Sequence, residues 1–205
     1  TLSGNPSLTG IRFFVDYIYL DSYEKKYFAN EEHRYLIEQV QFSEDIGISQ
    51  SQNSIKTRLD FNLPVKELFW VLQTSEKTAN NELLDFTNSP DSFYENPSDD
   101  ILECDFLYNG NQRFEPRNGE YFRLIQPALK HTNSVFDKYI YVYSLAVNPE
   151  DHQPSGFSNF SKIDKIEMFL TLRSDRNYTS TLRIYGLNYN VLRIAVGMGG
   201  VAFSN

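Results

Sequence analysis

The chain is poor in the residues that most often carry chemistry. Its 205 residues include one cysteine, Cys104, and three histidines. A single cysteine excludes an intrachain disulfide scaffold and a cysteine-rich zinc module, and it fits a reducing compartment. The histidines, His33, His131 and His152, are far apart and never form a His-x-His pair. That disfavours a metal site of the cupin type, so they read as polar surface or loop-packing residues. Long apolar runs are missing as well. The longest, residues 68–72, falls far short of the roughly 20 residues a membrane span needs. Positive charge is short too: 19 Lys and Arg stand against 27 Asp and Glu, for a net charge of −8. Direct phosphate neutralisation needs basic side chains gathered on one face, so nucleic acid is not an expected ligand.

Catalytic motifs are equally scarce. There is no Gly-x-Ser-x-Gly elbow and no Walker loop. Cys104 lies in the apolar stretch 101–107 and reads as a small buried side chain. Gly197-Met198-Gly199-Gly200 follows a strand pattern, but no helix comes after it to present N–H groups to a phosphate. It reads as a flexible tail able to approach other backbone. The adjacent carboxylates Glu31-Glu32 and Asp99-Asp100 read as solvated loop charge. Asn159-Phe160-Ser161 and Asn177-Tyr178-Thr179 match the N-glycosylation sequon, which makes Asn159 and Asn177 weak candidates for modification. No catalytic, metal or cofactor-binding residue is expected, and no cofactor.

What the chain does have is aromatic surface: 16 Phe and 14 Tyr in a sequence that is 40% hydrophobic. Aromatic residues suit half-buried pleated sheets. Residues 1–10 are small and polar, an entry arm or linker. Residues 11–20, nearly all β-branched or aromatic, predict a strand covered on both faces for part of its length. Asp21 and Glu24 spell a capping box, so a short helix should run to about Glu32. Strands are predicted at 35–42, 55–61, 65–72, 101–108 and 139–147, with Pro64 closing the second of these and Asn109-Gly110 marking a turn. Residues 119–130 suggest a helical turn ended by Pro127. Residues 73–100, rich in Ser, Asn, Asp, Glu and Pro, form a long loop. The cleanest alternation is Ile166, Met168, Leu170 and Leu172 against Lys165, Glu167, Thr171 and Arg173. Residues 181–196 give two strands or one bent strand. The expectation is an all-β fold: an eight-stranded antiparallel jelly-roll sandwich with short helices in its connections, occupying residues 11–205 as one domain.

Several blocks, taken in order, carry a resemblance. They are Phe13-Phe14-Val15-Asp16-Tyr17-Ile18-Tyr19-Leu20-Asp21, with Tyr27-Phe28-Ala29 and Tyr35-Leu36-Ile37-Glu38-Gln39 after it; Leu59-Asp60-Phe61-Asn62-Leu63-Pro64 running on to Trp70; Asn109-Gly110-Asn111-Gln112-Arg113-Phe114, Gly119-Glu120-Tyr121-Phe122 and Gln126-Pro127; Ile140-Tyr141-Val142-Tyr143 leading to Asn148-Pro149-Glu150-Asp151-His152-Gln153-Pro154; Asn188-Tyr189-Asn190-Val191-Leu192-Arg193-Ile194; and the Gly-rich tail from Gly197. In order and spacing they resemble the major capsid proteins of large nucleocytoplasmic DNA viruses over nearly the whole chain.

The resemblance implies a non-enzymatic shell protein with two tandem jelly rolls, of which this sequence is similar to the second. It implies homotrimers that act as pseudo-hexagonal capsomers of an icosahedral virion, in contact with neighbouring capsomers and minor capsid proteins. Assembly is expected in the host cytoplasm, with no membrane span in the chain even where an inner viral membrane lies beneath the shell. On this reading residues 73–100 form an outward tower or an inter-subunit clasp, and the tail from Gly197 docks on a neighbouring jelly roll. Two other classes share the architecture: a carbohydrate-binding jelly roll, which would stay monomeric with glycan affinity, and a cupin-type metal enzyme.

Overall fold

In the computed structural model, which describes residues 9–88 and 98–203, the capping box of Asp21 starts the first helix, α1 (Ser22–Asn30). The Asp21 carboxylate accepts from the N–H groups of Tyr23 and Glu24, and the Glu24 carboxylate accepts from the N–H of Asp21. Orphan donors at the helix start are thereby satisfied reciprocally. Then follow β1 (His33–Phe42), β2 (Ile46–Ile48), β3 (Ser54–Arg58) and β4 (Pro64–Thr74). Thr74 caps a short helix, α2 (Ser75–Ala79), by accepting from the N–H of Lys77. The middle of the chain holds β5 (Ile101–Tyr108), β6 (Asn111–Gln112), β7 (Arg117–Asn118), a π-helical turn (Tyr121–Ile125), α3 (Gln126–Lys130) and β8 (Tyr141–Ser144). The last third holds β9 (Ser158–Asn159), β10 (Ile166–Leu172), β11 (Ser180–Ala195) and β12 (Met198–Val201).

The strands form two antiparallel sheets. One runs β1-β11-β4-β8, with β2 and β12 also paired to β11 and β9 to β4; the other runs β3-β10-β5-β6, with β7 also on β5. The eight strands on these two paths pair from the outside inward along the chain: β1 with β11, β3 with β10, β4 with β8, β5 with β6. One long hairpin has been rolled so that alternate pairs fall in opposite sheets. That is the jelly roll expected from the strand pattern.

The core lies between the sheets. Ile166, Met168, Leu170 and Leu172 of β10 all point into it, as their alternation requires. Trp70 of β4 is fully buried and meets the rings of Phe106, Phe122 and Tyr141, with centroids 5.8, 5.2 and 6.0 Å away. Such contacts add roughly 0.5–1.5 kcal/mol each beyond area burial. Gly119 sits where the chain crosses Ile101 so closely that a Cβ would lie 2.0 Å from its carbonyl oxygen, so only glycine fits.

Four expectations are corrected and one alternative is decided. Residues 11–20 form no strand, because none of the described residues pairs with them; they run extended with their side chains largely in solvent. Pro127 does not end a helix: it sits in the first turn of α3, where its missing N–H costs nothing, and the helix continues to Lys130. Residues 73–100 are not one plain loop, since β4 and α2 extend into them to residue 79. Of the two alternatives for residues 181–196, the single strand is the one found: β11 (Ser180–Ala195), bulged at Leu187/Asn188. The Gly-rich tail is not free: Val196 and Gly197, with φ 53° and 73°, turn it back so that β12 pairs with β11 of its own sheet. Most of the entry arm 1–10, the middle of the 73–100 loop (89–97) and the last two residues of the tail lie outside the described residues.

Candidate assembly surface

The groups singled out for chemistry are dispersed. Among the described residues, no three His, Cys, Asp or Glu side chains come together as a metal site. Cys104 is 1% exposed, and burial pushes its thiol pKa well up, which keeps it protonated. His33 stacks on Phe28 at 4.8 Å, His152 lies exposed in a loop, and His131 sits between Glu67 and Glu150. Asn159 uses its side-chain oxygen to accept from the N–H of Ser161, capping a short 3-10 turn. Asn177 is exposed, and its backbone carbonyl accepts from Gln50. An open depression of about 300 Å³ on the outer side of the second sheet contains Asp105, but that carboxylate already accepts from Gln112 at 2.9 Å.

The charged groups do a different job, one that the solvated-charge reading missed. Asp99 accepts from Arg123 through two bonds of 2.7 and 2.6 Å and from the Tyr141 hydroxyl at 2.8 Å, while the Arg123 guanidinium lies 4.1 Å from the Tyr139 ring centre. Asp100 accepts from the Tyr178 hydroxyl at 2.6 Å and from Asn88 at 3.0 Å. Burial raises its pKa, although the bonds from Tyr178 and Asn88 pull the other way. These adjacent carboxylates therefore tie the end of the long loop to the π-helical turn on one side and to the chain entering β11 on the other.

A second set lies on the outer side of the first sheet. Lys77 pairs with Glu82 and Asp85, holding residues 80–88 down. Buried Lys66 donates to Glu38 at 2.5 Å and to the carbonyl of Pro149 at 2.7 Å. Buried Glu67 lies 3.1 Å from His131 Nε2, and Glu150 lies 3.3 Å from the other ring nitrogen. The Glu67 carboxylate above all raises the pKa of His131. The signal for this was present: Lys66-Glu67 interrupts an otherwise apolar strand, and charges there must be paired when the strand is buried.

What remains open is apolar. Phe13 and Tyr19 of the 11–20 arm are each 91% exposed, with Ile11, Phe14, Tyr17 and Ile18 nearly as bare. On the outer face of β1, Leu36, Val40 and Phe42 are exposed, and Phe42 stacks on Tyr185 of β11 at 4.9 Å. Large apolar side chains left in solvent are the kind of surface that protein contacts use.

Comparison with known proteins agrees with this picture. The family described as large eukaryotic DNA virus major capsid protein matches residues 24–200. The major capsid protein of Pyramimonas orientalis virus is 37% identical over 97% of this chain and 50% of its own length, and that of Paramecium bursaria Chlorella virus 1 is 32% identical over 94% and 53%. The chain thus spans about half the length of these curated relatives. Among solved structures, the quasi-atomic PBCV-1 virus capsid contains a chain that superposes with a TM-score of 0.73 at 30% identity, covering 92% of this chain and 56% of that one. The Faustovirus major capsid protein shares the fold, with a TM-score of 0.61 at 12% identity over 84% and 36% of the two chains. A jelly roll stapled by buried ion pairs, open on apolar faces and matched along nearly its whole length, belongs to the major capsid protein family of large eukaryotic DNA viruses, a family of structural and non-enzymatic proteins.

Proposed function

We propose that this chain is one jelly roll, the second of two, of a subunit that builds the icosahedral shell of a large DNA virus. The subunit assembles as a homotrimer whose six sandwiches form a pseudo-hexagonal capsomer. The capsomers meet one another and minor capsid proteins in the virion, after assembly in the host cytoplasm. The observation that carries the reading is the superposition on a chain of the PBCV-1 virus capsid, at 30% identity over 92% of this chain. The charge of −8 adds that nucleic acid is not a direct partner.

The construction suits the role. A shell brick needs a rigid interior and a surface that self-recognises. Buried ion pairs fix the loops at Lys66, Lys77 and Asp99 in place, while exposed apolar side chains supply contact area. The 73–100 segment serves as an outward tower or an inter-subunit clasp, with residues 82–85 tied to their own sandwich through Lys77 and Gln73. The tail from Gly197 contributes through β12, which lengthens the first sheet beside β11.

The test is native mass spectrometry and electron microscopy of the full-length gene product. Trimers that pack into hexagonal arrays are the expected result. A stable monomer with affinity for glycans would overturn it in favour of a carbohydrate-binding module.

A further inference from the structure

The outer face of the second sheet holds a carboxylate that the ion pairs elsewhere do not explain. Asp105 stands opposite Phe169, and Phe169 opposite Lys56, so these three side chains form one row on that face. The chain neighbours of Asp105, Cys104 and Phe106, belong to the core. Asp105 points the other way, yet it is only 5% exposed. β6 pairs with β5 at Leu107 and Tyr108, and β7 pairs with it at Glu103 and Cys104, so Asp105 falls in the interval between them. The depression of about 300 Å³ opens there, with Asp105 in its lining and Phe169, Leu107 and Pro116 among its apolar walls.

The charges of this depression do not balance. Oδ2 of Asp105 accepts from Gln112, but Oδ1 is shut off from solvent and accepts from nothing among the described residues. A buried acceptor without a donor is costly, and a charged one more so. Glu103, the second carboxylate in the lining, is exposed and joins no ion pair among the described residues. The cation in the lining, Lys56, is engaged with Glu167 at 3.4 Å, which Lys165 also holds at 2.9 Å. Two carboxylates therefore face an apolar depression with no positive charge of their own.

We propose that the depression binds a primary ammonium group carried on an aliphatic stem. The ammonium donates to Asp105 Oδ1 and faces Glu103, the stem lies along Leu107 and Pro116, and the positive charge gains from the ring of Phe169, which is 37% exposed. Apolar walls with a few placed polar groups are the usual make-up of a small-ligand site. A divalent metal ion fits poorly, because it calls for roughly six oxygen ligands, and no metal-binding group of side chains occurs among the described residues. A guanidinium fits less well than an ammonium: one oxygen lacks a donor, which a point donor satisfies and a planar fork does not. Gln112 is exposed on the two-residue strand β6, so its amide is free to turn aside and admit the ligand to the carboxylate. A free alkyl amine and a lysine side chain of another protein share this chemistry. The site goes beyond the shell reading and does not rest on it.

The test is isothermal titration calorimetry of the full-length gene product, with cadaverine and acetyl-lysine amide, acetylated on its α-nitrogen, as probes, and n-pentanol and calcium chloride as controls. Both amines should give saturable heats that pentanol and calcium lack. Asp105→Asn keeps an acceptor for Gln112 and should weaken both amines roughly tenfold. Glu103→Gln and Phe169→Leu should each weaken them roughly threefold. These two positions are partly or wholly exposed, so they carry the test should Asp105→Asn fail to fold. Cadaverine binding tighter than the lysine derivative identifies a free amine as the occupant, and the reverse identifies a protein lysine. No saturable heat from either amine overturns the proposal, as do affinities unchanged in all three variants, or calcium binding tighter than both amines.

Discussion

Residues 11–20 and β10 are both rich in large apolar side chains, yet one stands in solvent and the other lies at the centre of the sandwich. Composition does not separate them. β10 sends Ile166, Met168, Leu170 and Leu172 to one face, and a strand on either side, β3 and β5, pairs both of its edges. The arm has large apolar side chains on both faces and, among the described residues, no strand beside it. A β-strand is a property of a pair: a segment suited to the middle of a sheet remains a lone extended chain until a sheet edge meets it.

This contrast can be broken most severely by charge. Leu170→Asp in β10 should cost more than about 5 kcal/mol and leave no cooperative urea transition, because it buries an unpaired carboxylate. Ile18→Asp in the arm should shift the unfolding free energy of the isolated chain by less than about 0.5 kcal/mol. Equal losses would mean that the arm is part of the folded core.

Next in size is Asp99→Ala, which strands a guanidinium that is 11% exposed together with the Tyr141 hydroxyl. A loss of about 3 kcal/mol in denaturant melts is expected, and a near-neutral result would show that the loop end is anchored by other contacts. Gly119→Ala drives a methyl into the Ile101 carbonyl and should cost about 2 kcal/mol by the same measurement.

The smallest effect is a pH dependence. The Glu67 carboxylate raises the pKa of His131. A histidine raised on folding adds stability that is fully present below its unfolded value of about 6.5 and is lost as pH climbs through its folded value. The deficit of His131→Gln in thermal melts should therefore be larger at pH 5.5 than at pH 9. A deficit that does not change with pH would assign His131 a packing role only.

The same contrast explains what the sequence alone could tell. The helix at Asp21 and the strands at β4, β5 and β10 were legible because capping boxes and period-2 alternation are local signals. The class followed from their number and spacing. Residues 11–20 misled because apolar content reports the wish for a partner and not its presence. Pro127 misled because a proline that stops one helix can open another, and only the preceding π-helical turn decides which. The pairing of Asp99 with Arg123 joins residues 24 positions apart, and that of Lys66 with Glu38 joins residues 28 apart, distances over which local pattern is silent.

The rolled hairpin has a consequence for how such a subunit is made. Among the described residues β1 finds its one sheet partner in β11, so His33 waits for Ile194. During synthesis β1 leaves the ribosome with an open side that waits until β11 has been translated. Folding governed by such distant pairings is slow, and its intermediates are sticky. A product cut short before β11 cannot finish its first sheet, and its β1 is left as an open edge that other chains can pair with.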